Sequence, residues 1–147
     1  MATVRDLIKI KGDQVWNVTP KTTMLEALQL MAEKEVGALV VLDEARMAGI
    51  ISERDFARSI AKTGKYLLDA PVENYMTRDV FTVSPDQSTD VCMQMMTSKR
   101  IRHLPVLEKD ALVGLISIGD VVKEVIAGKQ STINNLENYI EGRGYGQ

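Results

Sequence analysis

Gly49–Asp55 reads GIISERD, and Gly114–Asp120 reads GLISIGD. Both run glycine, an apolar pair, serine, two variable residues and aspartate. A short apolar run precedes each, and an amphipathic one follows, Phe56–Ala61 and Val121–Ala127. That is how a strand hands over to a helix. Ser and Asp then stand at the helix start, where unpaired backbone N–H groups and the positive end of the dipole attract oxygen-rich groups. The same Ser-x-x-Asp spacing also describes a helix cap and its partner. The motif alone leaves both readings open.

The two stretches belong to a longer repeat. Sliding the sequence by 65 residues lays 15–61 on 80–126 without a gap, and 13 of the 47 pairs are identical. Val18-Thr19-Pro20 meets Val83-Ser84-Pro85. Leu39, Val41 and Leu42 meet Leu104, Val106 and Leu107. A gapless repeat of this length implies two copies of one supersecondary unit.

Each copy predicts the same order. A strand at Gln14–Val18 or Val80–Val83 ends at Thr-Pro or Ser-Pro, where proline disfavours a preceding helical residue. Thr23 or Ser88 caps a helix over 23–35 or 88–99, and Thr23-x-x-Glu26 reads as a capping box. Ala27, Leu28, Leu30 and Met31 align with Cys92, Met93, Met95 and Met96 as one buried face. Two strands follow, at 38–42 and 47–51 and again at 104–107 and 112–116. Polar turns at Asp43–Arg46 and Glu108–Asp110 join them. A second helix closes each unit, and a helical lead-in at Val4–Ile8 or Val72–Met76 opens it. The fold class is therefore α+β, two β-α-β-β-α units related by a pseudo-twofold axis. The divisions are 3–65, 72–127, and a tail at 128–147. Gly64 reads as a helix stop. After Gly128 a separate helix is expected at Ser131–Glu141, with Ile133, Leu136 and Ile140 on one face in need of a partner.

Composition narrows the function. Apolar residues make up 45% of the 147, charged residues 26%, and the net charge is −2. Nothing here drives the chain towards nucleic acid or an anionic membrane. The longest apolar run, Val36–Leu42, is too short to span a bilayer, and the N-terminus lacks a signal-peptide core. Cys92 and His103 are the only cysteine and histidine. An internal disulfide and a multi-histidine metal site are excluded, and a reduced cytoplasmic setting is expected. Cys92 falls on the apolar helix face and reads as a core thiol. Trp16 aligns with Phe81 as a structural aromatic. In Lys99-Arg100-Ile101-Arg102-His103, Lys99 and Arg100 suit a solvated helix end. Arg102 and His103 lie beyond that end, where a phosphate is an equal prospect.

The order of these elements resembles a tandem pair of cystathionine β-synthase (CBS) domains, a Bateman module, over residues 3–127. The cues are Val4-x-Asp6-Leu7-Ile8, Val72-x-Asn74-Tyr75-Met76, the Thr/Ser-Pro steps, ALVVL at 38–42, HLPVL at 103–107 and the two G-h-h-S-x-x-D motifs. The resemblance implies a regulatory module for adenosine-containing ligands, namely AMP, ADP, ATP, NAD(H) or S-adenosylmethionine. It also implies a homodimer, often disc-shaped. The pair accounts for nearly all of the sequence, so no attached catalytic domain is expected.

The resemblance also implies two sites. In each, the aspartate takes the ribose hydroxyls, a role that suits a carboxylate because it offers acceptors to a vicinal diol. In the first, Ser52, Arg54 and Asp55 face Ile101, Arg102 and His103 and the stretch near Thr77–Val80. In the second, Ser117, Gly119 and Asp120 face Val36, Gly37 and Ala38 and the stretch near 11–15. Ile50 and Leu115 flank the base. Arg54 suits phosphate, whereas Gly119 offers only backbone, so the first site should favour the more anionic ligand.

Three function classes follow. One is a non-enzymatic nucleotide sensor that changes conformation or assembly. A second is a dimerisation module with vestigial sites. A small hydrolase or transferase is the third, and it lacks an evident nucleophile–base pair.

Overall fold

The structure is a computed structural model and describes residues 2–140; the end of the expected tail, 141–147, lies outside it. Helix α1 spans Val4–Lys11, capped by Thr3 with Asp6 completing a capping box. Strand β1 is Asn17–Val18, α2 Met24–Lys34, β2 Ala38–Asp43, β3 Arg46–Ser52 and α3 Glu53–Thr63. A 3₁₀ turn follows at Val72–Asn74. Then come α4 Thr89–Lys99, β4 His103–Glu108, β5 Ala111–Ser117 and α5 Ile118–Ile140. Thr23, Ser52 and Ser88 cap their helices as the sequence predicts. At Thr23 the Glu26 carboxylate accepts from the threonine hydroxyl at 2.9 Å, in place of the backbone half of the expected box.

The two halves repeat each other in register. Leu39 faces Ile51 across β2–β3, and Leu104 faces Ile116 across β4–β5. Both hairpins turn on two residues with positive φ, Glu44-Ala45 and Lys109-Asp110, tighter than the polar turns expected. In the first half β1 lies parallel to β2 and makes a three-stranded sheet. In the second, the strand expected at Val80–Val83 is reduced to one bridge between Val83 and Val106. Proline explains the difference. The Val40 N–H donates to Trp16 O at 3.3 Å. Its counterpart is Pro105, which has no N–H to give Phe81.

Each half has its own core, and each core is completed by the other half's lead-in. Val18, Met24, Ala27, Met31, Leu39, Val41 and Ile51 pack with Val72 and Met76. Val83, Cys92, Met96, Leu104, Val106, Ile116 and Val121 pack with Val4 and Leu7. Backbone bonds tie the exchange down. Met24 N donates to Ala70 O at 2.9 Å, and Val4 N to Gln87 O at 2.8 Å. Of the expected buried helix face, Met93 is instead exposed.

The C-terminal helix differs from expectation. Gly64 ends α3 at φ 70°, but α5 runs through Gly128 without a break. Gly128 is absent from the glycines with positive φ, and no proline follows it. A mid-helix glycine costs about 1 kcal/mol against alanine, which does not by itself end a helix.

Candidate functional site

The strand-to-helix corner at Ser52 opens one side of a cleft of about 220 Å³. Ser52 Oγ accepts from Asp55 N, and Asp55 Oδ2 accepts from Ser52 N, both at 3.1 Å. The motif is therefore a reciprocal cap. The cap engages Oδ2, and Asp55 itself lines the cleft. Ile50, Glu53, Arg54 and Arg58 complete this side. Arg58 lies one turn beyond Arg54 on α3 and so shares its face.

The rest of the lining comes from two stretches of the second half, Thr77, Asp79, Val80 and Phe81 and then Arg100, Ile101, Arg102 and His103, with Gly37 from the first. Thr77 is held by two backbone bonds to Ile50, at 2.9 and 3.0 Å. Gly49 makes that approach possible, since a Cβ there would stand 2.5 Å from Thr77 O. Arg100 caps α4 in the left-handed region, φ 55°, so the residue that ends the helix also lines the cleft. Lys99 instead lies over the Phe81 ring at 5.2 Å, as Lys34 lies over Trp16 at 4.3 Å.

Four arginines, Arg54, Arg58, Arg100 and Arg102, and three carboxylates, Glu53, Asp55 and Asp79, line the cleft. Among the described residues, Arg54, Arg58, Arg100 and Arg102 make no ion pair. The neighbouring Arg58 holds the Arg54 guanidinium below its ordinary value, helped by partial desolvation and Arg102 and opposed by Asp55. The arginines exceed the carboxylates by one, an excess that favours an anion at the cleft. Burial, with Lys11 next, pushes His103 down to about 4, so its ring is neutral near pH 7.

The second Ser-x-x-Asp corner is different. Its cap is intact, with Ser117 N donating to Asp120 Oδ2 at 2.8 Å and Asp120 N donating to Ser117 Oγ at 3.2 Å. Lys11 Nζ, however, lies 2.6 Å from Asp120 Oδ2 and 2.6 Å from Leu115 O. Burial raises the Asp120 pKa, but the bonds from Lys11 and Ser117 outweigh it and hold the carboxyl below its ordinary value. Gly37 lines the first cleft, 3.8 Å from the His103 ring as measured from its would-be Cβ. Val36 packs on the first core and Ala38 is buried. Gly119 stays beside Ser117.

Among the first-site residues read from the sequence, Ile50, Ser52, Arg54, Asp55, Thr77, Val80, Ile101, Arg102 and His103 all line the one cleft. Asp79 falls within the expected stretch 77–80, whereas Glu53, Arg58, Phe81 and Arg100 line the cleft without having been expected there. Helical spacing from Arg54 marks Arg58; Arg100 was hidden by its fit to a helix end. Among the described residues no cluster of His, Cys, Asp or Glu is able to hold a metal ion, and no helix is long and apolar enough to cross a membrane. Cys92 is fully buried, and burial raises its thiol pKa.

A family model for the CBS domain matches twice, over residues 4–62 and 72–127. The chain belongs to the CBS-domain family. Among CBS-domain proteins, the mitochondrial CBSX3 of Arabidopsis thaliana is 38% identical over 149 residues, covering 95% of this chain and 72% of that one. A protein with CBS domains from Burkholderia ambifaria MC40-6 is 46% identical with a TM-score of 0.82, covering 86% of this chain and 95% of that one. The CBS domain protein PAE2072 from Pyrobaculum aerophilum, complexed with AMP, shares the fold at 24% identity and a TM-score of 0.72, covering 86% and 99%.

Proposed function

We propose that this CBS-domain pair is a regulatory module that binds an adenine nucleotide, AMP, ADP, ATP or NAD(H), in the cleft at Ser52–Asp55. Its role is to sense the ligand, not to turn it over. The observation that carries this is the pairing of Asp55 with the unpaired arginines. The Asp55 carboxylate stands at the helix start in the cleft lining, where it can accept from a ribose diol. Arg54, Arg58, Arg100 and Arg102 line the same cleft and make no ion pair among the described residues, and guanidinium groups suit phosphate oxygens. Ile50, Val80 and Ile101 supply apolar surface for a base. The AMP complex of the Pyrobaculum aerophilum protein supports the ligand class for this fold. Binding acts on conformation or assembly because the cleft walls come from both halves, so a ligand across it joins them. The setting is proposed to be cytoplasmic, and the regulated partner a separate protein.

A thermal-shift panel and calorimetry test this. One site that binds only the native state adds about 2.7 kcal/mol at a hundredfold excess of ligand over Kd. Unchanged melting with millimolar AMP, ATP, NAD(H) and S-adenosylmethionine sinks the sensor reading.

A second reading, a dimerisation module with vestigial sites, is favoured by one observation. Ile118, Val122 and Ile126 are exposed along α5, and Ile133 and Leu136 continue the exposure. A homodimer belongs to both readings.

A further inference from the structure

We propose that Lys11 is a built-in occupant of the second Ser-x-x-Asp corner, so that the chain takes one nucleotide, at the cleft, and not two. This rests on the nucleotide reading above and adds to it a stoichiometry and the residue that sets it.

The two corners are equivalent in register but not in what meets them. In the first, the backbone of Ile50 is paired with the backbone of Thr77, and no cation touches Asp55 among the described residues. In the second, Leu115 takes the place of Ile50. Its carbonyl receives the Lys11 ammonium at 2.6 Å, and the same ammonium is 2.6 Å from Asp120 Oδ2. That oxygen already accepts from Ser117 N at 2.8 Å. Cap and ammonium both fall on Oδ2, as the cap alone does in Asp55, so the difference between the corners is the ammonium itself, which sets a cation and its bulk against the carboxylate that would receive a ribose.

Helix packing puts Lys11 there. The first lead-in forms two full turns of helix, where the second forms a 3₁₀ turn of three residues. Gly114 lets α1 lie against β5, since a Cβ there would stand 2.9 Å from Ile8 Cδ1. Lys11 is nearly one turn beyond Ile8 and reaches the strand end. The pair is partly buried, with side-chain exposures of 34% for Lys11 and 19% for Asp120. Solvent and salt therefore screen it less than an open surface pair.

Calorimetry with AMP on the full chain, with Lys11→Met and Lys11→Gln variants, tests this. The native chain should bind one AMP, lost in Asp55→Ala. Either lysine variant should bind two, and Lys11→Met combined with Asp120→Ala should return to one. Two AMP on the native chain, or one on both folded lysine variants, overturns the proposal. A native chain that binds no AMP defeats the nucleotide reading and the stoichiometry with it. The contact itself is tested without nucleotide. His103 is the only histidine, so its imidazole gives a single NMR titration, which should move up in Lys11→Met. An unmoved titration places the ammonium elsewhere and overturns the proposal whatever AMP does.

Discussion

Gly49 lies so close to Thr77 that a Cβ would stand 2.5 Å from the Thr77 carbonyl and 2.9 Å from Met76 Sδ. A Cβ on Gly114 would meet side chains instead of backbone, Ile8 Cδ1 at 2.9 Å and Cγ1 at 3.1 Å. A carbonyl within a paired bridge cannot move aside, whereas an isoleucine tip can rotate. Gly49→Ala should therefore lower stability by about 2 kcal/mol, within the range for overpacking, and Gly114→Ala by clearly less. Urea unfolding of both variants checks this. Equal losses would show that backbone approach is not what Gly49 provides.

At the cleft, Arg54→Ala and Arg58→Ala should each weaken ATP binding about tenfold, the scale of one charge-assisted hydrogen bond. Adenosine binding should change little. Asp55→Ala should weaken all ligands that carry the ribose diol. Calorimetric titration with adenosine, AMP and ATP separates the two roles. An equal loss for all three ligands in Arg54→Ala removes phosphate from its account.

His103 gives the chain a pH dependence of known sign. Burial, with Lys11 next, holds its folded value at about 4 against an ordinary 6.5. In acid the unfolded chain takes up the proton first. The stability tied to neutral His103 is therefore complete above about pH 6.5 and is lost as pH falls towards 4. At 1.36 kcal/mol per unit the loss approaches roughly 3 kcal/mol. Urea titrations at pH 7.5 and 4.5 should show a smaller difference in His103→Gln than in the native chain. An identical difference in the two proteins would assign the acid sensitivity to other groups.

The β2–β3 turn places Glu44 at φ 55° and Ala45 at φ 82°. A two-residue hairpin of this hand favours Asn-Gly. Glu44→Asn with Ala45→Gly should raise stability by about 1 kcal/mol, because neither residue then strains to reach a positive φ. A lower melting temperature would mean that Glu44 or Ala45 makes a contact worth more than the strain.

If the exposed α5 stripe joins two copies, Val122→Asp and Ile126→Asp should shift the mass in light scattering from dimer to monomer at tens of micromolar. A native chain that is monomeric there, or variants that stay dimeric, would place the assembly surface elsewhere.

Local chemistry was the legible part of this chain. Thr23, Ser52 and Ser88 marked three helix starts, and the repeat marked the strands, because caps and alternation are read from neighbouring residues. The shortened strand before Ser84 was also written in the sequence, at Pro105 opposite Val40, but only the pairing with Phe81 gives that proline its meaning. Gly128 misled because a glycine looks like a stop until the residues after it are found to be helical. The Lys11–Asp120 contact had no local signature. It depends on α1 crossing to the other half, and no periodicity within 4–11 says which core Val4 and Leu7 will join.

That crossing has a consequence for how the chain is made. Val4 and Leu7 emerge from the ribosome long before β4 and β5, the strands they cover. The first half, for its part, waits for Val72 and Met76 before its own core is sealed. The earliest helix is thus the last to dock, and its final contact, through Lys11, is made only once β5 has formed. Neither half then holds its full core until both lead-ins have been made and have crossed over. Cutting the chain between Gly64 and Ala70 would leave two pieces, each holding the missing part of the other.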